Sequence, residues 1–113
     1  MLNKIVSLSK NEDFKKLLTG RKTSNKYFTI FFKKIAEKDH NNLNISFVVK
    51  RKLGNAVKRN KIKRRLKNIM CDANKEISIN GNYSYLVIAK ETILKDEYKN
   101  IKKTLFIEFE KIK

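Results

Sequence analysis

Between Lys50 and Lys67 the chain places ten lysines and arginines among eighteen residues, with no acid. The apolar residues within and just beyond this stretch say how it is attached to the rest. Ile62, Leu66, Ile69, Met70 and Ala73 recur at helical spacing. At the helical rotation they cover roughly a third of a turn. The other face carries Lys61, Arg64, Arg65, Lys67 and Asn68. Asn55 is suited to cap the helix, which leaves Ala56 and Val57 in its first turn. Gly54 ahead of it allows positive φ or a close backbone approach. Any fold must therefore present a helix that buries a narrow stripe and shows a broad basic surface.

A charged helix of this kind is often no more than a solvated face. Here that reading leaves like charges three and four residues apart with no acid to relieve them. Four of the five arginines fall in the stretch: Arg51, Arg59, Arg64 and Arg65, with Arg21 the exception. Arginine is a planar fork that binds phosphate through two parallel hydrogen bonds, whereas lysine is a flexible point charge. A polyanion-binding helix follows. The net charge of +17 agrees and implies nucleic acid or an acidic membrane surface. No apolar run reaches the roughly 18–20 residues that span a bilayer, so nucleic acid is the better match and no membrane partner is expected. The first residues show no secretory pattern. The lone Cys71 excludes an internal disulfide and fits a reducing cytoplasm, where it is read as a small buried side chain. Residues 1–113 suit a single domain.

Along the chain, Leu8 to Leu18 reads as a short helix with Phe14, Leu17 and Leu18 on one apolar side. Gly20 ends it, and Arg21 to Lys26 reads as a basic loop. Tyr27 to Lys34 is a strand with Phe28, Ile30 and Phe32 on one face and Tyr27, Thr29 and Phe31 on the other. A turn over Glu37 to Asn42 holds His40, taken as a solvated turn residue. Leu43 to Val49 is a second strand with Ile45, Phe47 and Val49 toward the core. After the basic helix, Asn80-Gly81-Asn82 marks a turn, and Tyr83 to Ala89 is a strand. Lys95 to Lys113 carries Tyr98, Ile101, Leu105, Phe109 and Ile112 at helical spacing. Phe106 and Ile107 fall off that stripe, so TLFIEF also fits a strand; helix is the reading adopted. The order of elements is that of an α+β fold with helices packed on a sheet.

Gly54-Asn55-Ala56-Val57, Arg59-Asn60-Lys61 and Ile62-Lys63-Arg64 together resemble the signature of the bacterial ribonuclease P protein subunit. Lys61 stands where that family usually has arginine, which keeps the charge and loses the fork. Leu8, Asn11-Glu12-Asp13-Phe14 and Gly20 resemble its N-terminal pattern. The resemblance implies a small α/β sandwich akin to a ribosomal-protein domain. It also implies about four strands in a mixed sheet and a left-handed βαβ crossover, against the usual right-handed rule. It implies that an RNA subunit carries catalysis with bound magnesium and removes the 5′ leader of precursor tRNA.

The residues of the chain leave room for that division of labour. Acidic pairs such as Glu12-Asp13, Asp72/Glu76 and Glu108/Glu110 are scattered, and one histidine and one cysteine complete the set. No metal-ligand cluster, nucleophile-base pair or phosphate loop is visible, so no catalytic or metal residue is assigned. By resemblance the catalytic RNA would meet Lys50, Arg51, Lys52, Arg59, Asn60, Lys61, Lys63, Arg64 and Arg65. The leader would lie in a cleft with Phe14, Leu18 and Phe31, where aromatic rings stack bases of any sequence. Leu18 replaces an aromatic residue of many members. Packing in the core is the competing reading for Phe14 and Phe31. The partners implied are the catalytic RNA and precursor tRNA, with no obligate protein partner and no cofactor on the protein itself. Two other classes fit the composition: a small structural RNA-binding protein of ribosomal type, and a DNA-binding module. The ordered motif from Gly54 to Arg64 speaks against the first. The scarcity of base-reading amides, Asn60 and Asn68 alone, speaks against the second.

Overall fold

A computed structural model describes residues 2–7, 11–34 and 41–112. Its strands are β1 (Ile5–Val6), β2 (Arg21–Ser24), β3 (Phe28–Lys34), β4 (Leu43–Val48) and β5 (Tyr83–Ala89). Its helices are α1 (Asn11–Leu18), α2 (Ala56–Glu76) and α3 (Tyr98–Lys111), with single 3₁₀ turns at Arg51–Leu53 and Glu91–Leu94. The strands form one mixed sheet in the order β1-β4-β5-β3-β2. β4 runs parallel to β1 and β5, while β3 is antiparallel to β5 and β2. The fold is α+β, as the order of elements implies, and α2 is the crossover between the parallel strands β4 and β5.

The alternation in each strand gives the sheet two unequal faces. On one, Phe28, Ile30 and Phe32 of β3 join Leu43 and Ile45 of β4 and Tyr83, Tyr85 and Val87 of β5. α2 and α3 cover this face with the stripes read from the sequence: Ile62, Leu66, Ile69, Met70 and Ala73 from α2, and Ile101, Leu105 and Phe109 from α3. The Tyr85 and Phe109 rings lie 5.2 Å apart, and the Tyr85 hydroxyl donates to the Asn80 carbonyl at 2.6 Å. On the other face α1 packs a smaller cluster around Leu17 and Leu86.

The sequence reading needs correction at several places. Arg21 to Lys26 is not all loop, because Arg21–Ser24 is β2, paired residue for residue with Thr29 to Phe32. Its four residues are largely exposed and have no apolar alternation, which is why no strand pattern shows; charge is also what keeps an edge strand from pairing further. The turn is made by Asn25, whose Oδ1 accepts from the Tyr27 and Phe28 amides at 2.8 and 3.1 Å. β1, only two residues long, is the other strand that periodicity could not reveal, and with it the sheet has five strands among the described residues, close to the four or so that the resemblance implies. A backbone-like clamp fixes the chain ahead of it: the buried Asn74 amide of α2 accepts from Leu2 N–H at 3.1 Å and donates to Leu2 C=O at 2.9 Å. The last helix begins at Tyr98, not Lys95, and Tyr98 itself is 41% exposed at the mouth of its stripe. Residues 8–10 and the turn with His40 lie outside the described residues.

One polar tie joins the β2–β3 hairpin to the start of α3. The Tyr27 hydroxyl donates to Asp96, and Asp96 also accepts from Asn100 Nδ2 and the Glu97 amide, both at 2.7 Å. The Thr92 hydroxyl donates to the Lys26 carbonyl, and Lys90 Nζ donates to the Asn25 carbonyl at 2.6 Å and to Ser24 Oγ at 2.7 Å. The Tyr27 hydrogen bond, then those from Asn100 and Glu97, hold the Asp96 carboxyl well below the usual carboxylate range, and the Tyr27 phenol is correspondingly raised. A depressed folded-state pKa stabilises the fold above the unfolded value, about 4, and the stabilisation is lost as pH falls below it. Thermal melts should therefore show an acid-side decline, and Asp96→Asn should flatten it. An unchanged acid limb in that variant would show that the tie is not linked to folding.

Candidate nucleic-acid interface

The basic segment is built by one anchor and one cap. After β4, the 3₁₀ turn buries Leu53 and leaves Lys50, Arg51 and Lys52 exposed. Gly54 then takes φ 149°, and a Cβ there would come within 2.8 Å of the Lys58 side chain. This is backbone that other residues adopt only with strain. Asn55 follows as the predicted cap, its Oδ1 accepting from the Lys58 amide at 2.9 Å. The turn and cap set the direction in which the 21-residue α2 leaves the sheet.

Along α2 the cations divide by position. Asn60, Lys61, Arg64 and Arg65 are exposed, while Arg59 and Lys63, one turn apart, are half-buried beside Ile62 and Leu66. Long basic side chains lay their stems on apolar neighbours in this way and keep their heads at the surface. The Arg59 Nε is buried, and among the described residues it has no hydrogen-bond partner and the side chain no ion pair. Among the described residues, no cation from Lys50 to Lys67 forms an ion pair. Asp72, the first acid after the basic run, pairs with Lys102 of α3 at 3.1 Å. That contact draws the acidic end of α2 toward α3. The positive face thus keeps its full charge for a partner.

The second candidate surface lies on the other side of the sheet. In register, Phe31 stands between Lys22 of β2 and Leu86 of β5, and Leu86 is opposite Ser46 of β4. The next row on that face is Ser24, Thr29, Ile88 and Val48. α1 seats Leu17 on Leu86, and Phe14, Phe31, Val48 and Ile88 surround them half-buried. Phe14 and Phe31 are therefore brought together, and each keeps part of its ring outside the packing. Leu18 departs from the expected grouping: a step of one residue turns it away from Leu17, and it is 51% exposed at the helix edge.

One connection could not be read from the sequence. The parallel register of β4 and β5 pairs Val48 with Ile88, so both strands end on the same side of the sheet. A pocket of about 230 Å³ opens there, where Lys50, Lys52 and Lys90 meet Thr29 and Ile88, with one acid, Glu91, also in its lining. Lys90 is far from the basic segment in sequence and carries no motif, so only the register reveals it. Through this pocket the cationic segment and the half-open aromatic face become contiguous. Among the described residues, no group of His, Cys, Asp and Glu is placed to hold a metal ion. No described helix is long and apolar enough to cross a membrane.

Comparison with known proteins gives a consistent picture. Residues 2–113 match the family described as Ribonuclease P. The ribonuclease P protein component of Streptococcus mutans is 30% identical over 105 residues, covering 92% of this chain and 83% of that one. Its counterpart from Listeria innocua is 31% identical, with 92% and 85% covered. Among solved structures, the RNase P protein of Thermotoga maritima superposes with a TM-score of 0.79 at 26% identity, over 96% of this chain and 98% of that one. The RNase P protein of Staphylococcus aureus gives 0.75 at 30% identity, over 94% and 95%.

Proposed function

The chain belongs to the ribonuclease P protein family, a subunit of a ribonucleoprotein endoribonuclease of tRNA processing, and from that premise we propose how its surfaces divide the work. The ribonuclease P RNA is its partner. A free-standing structural role of ribosomal type is not favoured by this membership. The basic segment binds that RNA through phosphate contacts of Lys50, Arg51, Lys52, Arg59, Lys61, Lys63, Arg64 and Arg65, with Asn60 as a polar neighbour. The half-open face around Phe14 and Phe31, edged by Leu18, takes the single-stranded leader of precursor tRNA. The RNA subunit carries catalysis and the magnesium ions it needs; this chain supplies no catalytic group and needs no other protein. It acts as one domain, in the cytoplasm.

The observation that supports this reading is the junction at Lys50, Lys52 and Lys90. Among the described residues the cations of the basic segment form no ion pair, and the pocket that joins them to the face with half-exposed rings carries three lysines against one acid, Glu91. Phosphates can be tracked by the lysines while bases stack, with no need for sequence readout. The test compares precursor and mature tRNA binding by the RNA alone and by the RNA with this chain. The protein should tighten precursor binding at least about tenfold, the scale of one or two stacked bases, and leave mature tRNA nearly unchanged. Equal tightening of both would remove the leader from the account.

A further inference from the structure

We propose that the end of the sheet away from the basic turn and helix start at Lys50–Arg59 is a second phosphate site, taking leader nucleotides beyond those in the aromatic cleft. The inference rests on the leader reading above. The chain leads from the cleft to this end, where Leu18 is followed by Thr19, Gly20 and Arg21, and Phe31 by Phe32, Lys33 and Lys34. Lys33 stays on the face of the cleft, while Arg21 and Lys34 stand with Phe32 and Tyr83 on the opposite face, so the site wraps the end of the sheet. These two segments, with Tyr83, line a concavity of about 510 Å³, and among the described residues no acid lines it. Gly20 lets the segments close on each other, since a Cβ there would meet the Phe32 carbonyl oxygen at 2.7 Å. Arg21, the one arginine outside the basic segment, holds its guanidinium carbon 5.1 Å from the centre of the Phe32 ring. Lys34 Nζ lies 5.9 Å from the centre of the Tyr83 ring. Among the described residues neither cation has an ion-pair partner. A guanidinium stacked on a ring is oriented while its N–H fork stays available, the arrangement that suits phosphate. Lys33 lies two residues beyond Phe31 on the same face, so it continues the line of the cleft.

The polarity follows from the fold. The pocket at Lys50, Lys52 and Lys90 lies beside Thr29, where β3 begins, and adjoins the RNA-binding segment. Lys33 and Lys34 lie where β3 ends, roughly 17 Å away at strand rise. A leader leaving the catalytic RNA therefore meets the lysine pocket first, the rings next and this site last. The recognised chemistry is the phosphodiester backbone of single-stranded RNA, without base preference.

The test uses the reconstituted complex with precursor tRNAs carrying leaders of roughly 4 and roughly 12 nucleotides, the span small single-strand binders cover. A variant with Arg21→Gln, Lys33→Gln and Lys34→Gln should bind the short-leader substrate like wild type. It should lose roughly tenfold on the long one, with the salt slope of log K shallower by about 2, or about 0.7 for each phosphate no longer neutralised. Arg21→Lys, which keeps charge and loses the fork, should recover part of the loss. Thermal melts check the fold, and if the triple variant melts early the single Lys34→Gln is read the same way for one phosphate. Equal affinity of variant and wild type on both leaders overturns the second site. An equal loss on both leaders also overturns it, by placing these cations elsewhere in the complex. If instead wild type itself shows no preference for precursor over mature tRNA, the leader reading fails and this inference fails with it.

Discussion

Replacing Arg59, Arg64 and Arg65 together by alanine is expected to weaken binding to the ribonuclease P RNA by roughly a thousandfold. Each charge-assisted hydrogen bond to phosphate contributes about 1.5 kcal/mol or more, which is about tenfold in affinity. The three arginines share one helix and no acid competes for them among the described residues. Salt dependence gives an independent readout: the slope of log K should become shallower by roughly 0.7–0.9 for each phosphate that is no longer neutralised. Arg64 and Arg65 are exposed, so their removal should leave the melting temperature close to wild type. Arg59 is half-buried, and its share is separated by Arg59→Lys, which keeps the stem and the charge. Wild-type affinity and salt slope in the triple variant would place the RNA on another face.

The second large effect separates two phenylalanines three residues apart on one strand. Phe28 is fully buried in the main core, so Phe28→Ala should cost about 3–5 kcal/mol of folding stability. Phe31 lies on the other face, half-buried beside Leu17 and Leu86. Phe31→Ala should cost about 1–2 kcal/mol, since only part of the ring leaves water on folding. Its main effect should be functional: weaker affinity for precursor tRNA by roughly tenfold, the scale of one stacked base, with mature tRNA unaffected. Urea melts and the two binding assays measure both. A stability loss in Phe31→Ala as large as that of Phe28→Ala, or equal weakening for both RNAs, would make Phe31 a core residue and move the cleft.

What could be read from the chain depended on pattern length. The α2 stripe repeats from Ile62 to Ala73, and all of its members are buried. The strand Phe28–Lys34 was legible from its alternation, and Tyr83–Ala89 from a nearly continuous apolar run after the Asn80-Gly81-Asn82 turn signal, as befits a central strand buried on both faces. β1 and β2 were not, because two residues show no period and four polar ones show no alternation. Their pairing is decided by neighbours: β2 by the Asn25 turn, β1 by β4 and the Asn74 clamp. At the candidate site, the exposure of Arg64 and Arg65 follows from the helical wheel. The half-burial of Phe31 does not, because it depends on where α1 lands. Lys90 was invisible for a similar reason, since it joins Lys50 and Lys52 only through the β4–β5 register.

The central claim is that this chain binds and positions RNA while the chemistry belongs to the RNA subunit. It is tested most directly by assaying precursor-tRNA cleavage at low magnesium with nuclease-free protein alone, ribonuclease P RNA alone, and the two combined. The account predicts no cleavage by the protein, little by the RNA at that magnesium level, and efficient release of the 5′ leader by the mixture. Robust cleavage by the protein alone, or no gain on adding it to the RNA, would contradict it.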